Sequence, residues 1–153
     1  MPQKESEEQN LLNIQIDLVV EYLEDLGVAV EFGGKINGYF YEDEVIVITN
    51  KQSLTSKFYT LLHEAGHYLL RNKDDRFTQP DRSNMTRPSQ AKRVKILHEE
   101  FLAWDEGLKL AEELNLYVNL KQWERVSYKH LYDYIKWSHK PLEFKKENTS
   151  ERK

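Results

Sequence analysis

Five consecutive residues of this 153-residue chain, His63-Glu64-Ala65-Gly66-His67, have types and spacing that could do chemistry. Residues four apart on an α-helix share a face one turn from each other, so both imidazoles can aim at one point. They would fill two of the four positions around a tetrahedral zinc ion. Glu64 then faces the remaining open position, where it can take a proton from a bound water whose pKa the ion lowers towards about 7. That combination suits hydrolysis of an amide. Between Thr60 and Leu69 the one carboxylate is Glu64 and there is no Lys or Arg, as a buried helix with shielded ligands requires. The plainer reading, two histidines packed on a helix without metal, does not explain that flank.

A third ligand is needed, and the chain contains no cysteine. Thiolate sites and disulfide frameworks are therefore excluded, and the ligand must be a carboxylate or another histidine. A long helix expected over 89–114 offers His98, Glu99, Glu100 and Asp105. Glu100 is favoured, because Ala103 and Gly107 lie three and seven residues further along its face and would let the motif helix come close. Glu99 shares its face with Leu102 and Glu106, a less buried setting, and stays the alternative. His98 is expected to be exposed or to sit behind a ligand. Hydrolysis also needs a donor for the developing oxyanion; Tyr68, His98, His130, Tyr128 and Tyr132 qualify by type, and spacing selects none. For the tyrosines near the C-terminus, core or interface packing is the commoner use.

These residues need elements to hold them. Ser53 is a candidate N-cap for a motif helix over 54–70. Before it, Leu11, Leu12, Ile14, Leu18, Val19, Tyr22 and Leu23 recur at helical spacing up to Gly27. Short β-rich pieces follow near 28–32, 39–41 and 45–49, separated by glycines and an acidic turn. In the helix over 89–114, Leu97, Phe101, Trp104, Leu108 and Ala111 form an expected core stripe. A last helix covers 120–137, with Trp123, Leu131, Tyr134 and Ile135. The predicted class is α+β: a small, mostly antiparallel three-stranded sheet packed on the motif helix, an N-terminal helix and two C-terminal helices. One domain spans 1–153, with polar tails at 1–9 and 141–153 read as flexible. The stretch 71–88 is an ordered excursion or a lid. Its locally basic character is that of a solvated loop, or else steers an acidic protein substrate.

With 31% charged residues and a formal charge of -4, the chain lacks the broad positive field that nucleic acid binding uses. No long apolar run or leader-like segment is visible, so membranes are not expected partners and the cytoplasm is the expected location.

The stretch from Thr60 to Leu69, followed by Glu100-Phe101-Leu102-Ala103-Trp104, resembles the HExxH zinc peptidases of gluzincin type. It is most similar to the ImmA/IrrE-type peptidases and related small phage metallopeptidases, in which a glutamate with alanine three residues on is the third ligand. The resemblance covers roughly 45–114. It implies one Zn2+ per chain at His63, His67 and Glu100, with Glu64 as general base. Those relatives commonly carry asparagine directly after the alanine. This chain has Trp104 there, which leaves Asp105 as the candidate to contact a ligand histidine. No helix-turn-helix or sensor segment accompanies the motif, so repressor cleavage is an analogy of fold.

The leading expectation is zinc-dependent hydrolysis of a peptide bond in a cytoplasmic protein or peptide, a regulator among the candidates, by zinc-bound water that Glu64 activates. The alternatives are a zinc-containing binding or inhibitory protein on the same scaffold, and a metal-free helical adaptor. Oligomeric state is not legible in the sequence.

Overall fold

The run Val45-Ile46-Val47-Ile48 is β-branched throughout, and Ile46 and Ile48 are fully buried while the valines between them are half-buried. Such a run belongs at the centre of a sheet. The computed structural model describes residues 2–77 and 89–140, with side chains from residue 7 onwards. Along it run α1 (Pro2–Asp25), β1 (Ala29–Phe32), β2 (Gly38–Phe40), β3 (Val45–Ile48), α2 (Leu54–Lys73), a 3-10 turn at Asp75–Phe77, α3 (Gln90–Glu113) and α4 (Leu120–His139). The expected α+β class and element order hold.

The sheet order is β1-β3-β2, with β3 in the middle. β2 pairs with β3 antiparallel, Gly38 opposite Val47, whereas β1 pairs with β3 in parallel, Ala29 opposite Val45. The sheet is thus mixed, a detail beyond the mostly antiparallel expectation. Turn signals reveal that the chain reverses but not that the third strand inserts between the first two.

The first helix starts at Pro2 rather than after a frayed start at 1–9. It ends in a left-handed residue, Gly27 at φ 92°, with Val28 N–H bonded to the Leu23 carbonyl and Gly27 N–H to that of Glu24. This closing pattern satisfies two helix-end carbonyls and turns the chain into β1. Ser53 caps α2 as expected, its hydroxyl accepting from Ser56 N–H at 3.1 Å. Ser89 and Asn119 cap α3 and α4 in the same way.

α2 is the central element, packed against α1, the sheet and α3. The core around it gathers Val19 and Leu23 from α1, Ile46 and Ile48 from β3, Phe58, Leu61 and Leu62 from α2, and Trp104, Leu110 and Trp123 from α3 and α4. The stripe expected on α3 holds at Trp104 and Ala111, is half-buried at Leu97 and Leu108, and fails at Phe101. Phe101 is 42% exposed, and the buried face is instead Ile96, Glu99, Glu100, Ala103, Trp104, Glu106, Gly107, Leu110 and Ala111. Trp104 stacks on His63 of α2, and beside it small and acidic residues, not Phe101, make up the face turned to α2. The tyrosines at 128 and 132 are exposed on the single chain and are not part of its core. Among the described residues no helix is long and apolar enough to cross a membrane. Positions 78–88, most of the excursion read as a lid, lie outside the described residues, as does the C-terminal tail at 141–153.

Candidate metal centre

Two glycines decide how closely α2 and α3 approach. A Cβ added at Gly66 would lie 2.0 Å from the Ala103 carbonyl oxygen, and one at Gly107 would lie 2.5 Å from that of Leu62. The helices therefore cross in reciprocal backbone contact, each glycine receiving the other chain segment. At this crossing one turn of α2 carries His63, Glu64 and His67, and the turn of α3 just before Ala103 carries Glu99 and Glu100. All five side chains are buried.

Glu100 reaches both motif histidines. Its Oε1 is 3.2 Å from His63 Nε2 and its Oε2 is 2.7 Å from His67 Nε2. The two Nε2 atoms lie 3.3 Å apart. Two nitrogens held at about 2.0–2.1 Å by one tetrahedral ion would be separated by roughly 3.3–3.4 Å. The spacing and the donor set of imidazole and carboxylate, with no thiolate, fit a zinc-type ion. His63, Glu64 and His67 also present ligand atoms within 4.8 Å of one another, and so do His63, Glu100 and His130.

Electrostatics agree with this arrangement. Burial would push the Glu100 carboxyl up, but His67, His130 and His63 around it hold it well below the usual carboxylate range. Ionised, it only accepts hydrogen bonds, so the imidazole nitrogens facing it carry hydrogens. Burial draws the His63 imidazole down to about 4 despite Glu100. For His67 burial acts in the same direction, but Glu100 and Glu99 outweigh it and raise the ring to about 10. A buried spot that favours a cation this strongly is one where an ion can exchange for protons.

Glu99 is the residue that sequence reasoning misplaced. It is somewhat less buried than Glu100, as expected, but still buried: it accepts from His67 Nδ1 at 2.6 Å and from Arg71 Nη2 at 3.3 Å. It thereby orients the His67 ring with Nε2 towards Glu100, the second contact a ligand histidine commonly makes. Asp105, proposed for that part from its position after Trp104, is exposed. The signal was available, since Ala103 lies four residues after Glu99 as well as three after Glu100, so the small face accommodates both.

Trp104 takes a different part. Its indole stacks on His63, centroids 4.2 Å apart and planes 20° from parallel. His63 Nδ1 has no hydrogen-bond partner among the described residues, so on that side the ring is held by the stack, while Nε2 faces Glu100. His98 is exposed and lies edge-on to the Phe77 ring. His130, undistinguished among five oxyanion candidates, comes from α4 to place Nε2 2.9 Å from Glu100 Oε1. A helical stripe of Trp123, Ser127, His130, Tyr134 and Trp137, spaced by four, three, four and three, could have shown that His130 points inwards.

The centre opens into a cleft of about 950 Å³. Edge strand β2 and the turn after it form one wall, and Val126, Lys129, His130, Asp133 and Tyr134 of α4 form the other. His63, Glu64, His67 and Glu100 lie between them.

No curated protein and no solved structure matches the chain. Residues 23–113 match the family model of the IrrE N-terminal-like domain, a peptidase family. The matched segment holds the sheet, the motif helix, Glu99 and Glu100, and stops before α4. Covering more than half of the sequence, it shows that this chain belongs to the IrrE N-terminal-like domain family and has a metallopeptidase-like fold.

Proposed function

We propose that the protein is a zinc-dependent peptidase that hydrolyses a peptide bond in a protein or peptide substrate. The observation that carries this reading is the convergence of His63 Nε2, His67 Nε2 and the Glu100 carboxylate, with Glu64 beside them, at the base of an open cleft. His63, His67 and Glu100 would hold the ion, with Glu99 and Trp104 fixing the two rings. When bound, zinc would polarise the scissile carbonyl and lower the pKa of water.

The remaining chemistry belongs to the chain. Glu64 takes a proton from the attacking water as its oxygen bonds to the carbonyl carbon, then delivers that proton to the leaving nitrogen as the C–N bond breaks. The water's second proton also ends on the nitrogen, so the products are a carboxylate and an ammonium group. A cleft bounded on one side by an edge strand suits an extended peptide. A cytoplasmic substrate, with regulatory proteins as the first candidates, agrees with the sequence reading.

Glu64→Gln tests the assignment. It keeps the shape and the metal ligands, and it is expected to lower kcat at least 10²–10⁴-fold, the usual worth of a general base. Zinc content should stay at one per chain. Quenched-fluorescent peptide libraries and metal analysis measure the two. Equal cleavage by parent and variant would remove the general-base assignment of Glu64, and no cleavage by the zinc-loaded parent would remove the hydrolase reading.

A second reading, a zinc-containing binding or inhibitory protein, draws on one observation. His130 Nε2 is close enough to Glu100 and His63 to act as a further protein ligand and close the site.

A further inference from the structure

We propose that His130 is a catalytic residue, donating a hydrogen bond from Nε2 to the oxyanion that forms when the scissile carbonyl is attacked. The inference rests on the hydrolase reading above and assigns the one partner that reading leaves open. Its ground is where α4 holds the imidazole. The Nε2–H donates to Glu100 Oε1 at 2.9 Å, and that anionic oxygen lies 3.2 Å from His63 Nε2. The donor is thus already aimed at a negatively charged oxygen on the rim of the ligand cluster.

Three features favour a donor over a packed core histidine. First, the His130 side chain is 39% exposed and lines the cleft, so a substrate can reach it. Second, its ring is held on three sides, edge-on to His63 at 5.0 Å and to Trp104 at 5.4 Å, and against Tyr134 at 5.1 Å. Third, α4 is fastened at both ends. Trp123 packs edge-on against Tyr59 and Trp104, while Arg93 of α3 bonds to the carbonyls of Trp137, Ser138 and Lys140 and lies over the Trp137 ring. The Nε2–H is bonded to Glu100 Oε1 before substrate arrives and must pass from it to the oxyanion, and these contacts let the hydrogen bond change acceptor while the ring stays in place. Exposed Tyr128 and Tyr132 do not line the cleft and drop out, as does His98. Glu64 and His130 come near the ligand cluster in two groups that share only His63.

The test uses the zinc-loaded full chain as parent, Glu64→Gln, His130→Ala and His130→Gln on one quenched-fluorescent peptide library, with cobalt-loaded samples of each. His130→Ala is expected to lower kcat about 10²–10³-fold, the usual loss for one oxyanion donor, with KM little changed. His130→Gln, whose amide can still donate, should recover part of it. The cobalt absorption spectrum and the zinc affinity, measured against a chromophoric chelator, should match the parent in both variants. A changed cobalt spectrum with weakened affinity in His130→Ala would make His130 a metal ligand and overturn the proposal. So would undiminished kcat in a parent that Glu64→Gln inactivates. If the zinc-loaded parent cleaves no peptide of the library, the hydrolase reading fails and the proposal falls with it.

Discussion

The two helices that meet the motif helix from the C-terminal half of the chain do so in contrasting ways. α3 meets α2 through backbone, with Gly66 against Ala103 and Gly107 against Leu62, and it brings buried acids to the histidines. α4 reaches the same centre through side chains alone, by a partly exposed histidine steadied by aromatic rings. The first contact lies within the segment matched to the family and the second lies beyond it. Backbone contact leaves no room for substitution and fixes the ligand set. Side-chain contact can be altered without moving the scaffold, so it is where one family member can differ from another.

Trp104 is where the two regions join, stacked on His63 and edge-on to Trp123. Trp104→Ala should have the largest effect, about 3–5 kcal/mol of stability as for other buried large-to-small changes, with weakened zinc binding as well. Urea unfolding and chelator competition measure the two; a loss below 1 kcal/mol would mean that α4 is not braced through this residue. Next comes Gly66→Ala, which forces backbone apart at the α2–α3 crossing. It should cost about 1–3 kcal/mol and reduce zinc retention in step. An unchanged unfolding midpoint would show that the crossing is looser than described.

Glu99→Gln keeps the volume but removes the charge behind His67. Zinc affinity is expected to fall about 10–100-fold, as for other partners of ligand histidines, while stability changes little. If affinity is unaffected, the contact at 2.6 Å does not support a ligand. The smallest effect is expected on the far side of α3. Phe101→Ser should alter stability by no more than about 0.5 kcal/mol, because the ring is solvent-facing. A large loss would restore the apolar stripe that the sequence pattern suggests.

Phe101 also explains what could and could not be read in advance. Helical periodicity assigns the buried face to the largest apolar residues, and along α3 that rule selects Phe101. What packs against α2 is governed by how near two backbones can come, and there Ala103 and Gly107 matter more than size. Those small residues leave room for Glu100 against α2 and, four residues before Ala103, for Glu99 as well. The contact behind His67 therefore comes from Glu99 and not from Asp105, which is exposed.

By itself the sequence determined the local matters. The four-residue spacing puts His63 and His67 on one helical face, Ser53 starts that helix, Gly27 ends the one before it, and the absence of cysteine restricts any metal to nitrogen and oxygen donors. Each follows from a few neighbouring residues and the geometry of one element. Tertiary structure alone decided that β3 enters between β1 and β2, that Glu99 stands behind His67, that Trp104 covers His63, and that His130 of α4 faces Glu100. Those depend on the distances at which separate elements pack, and no spacing along a single element contains that information.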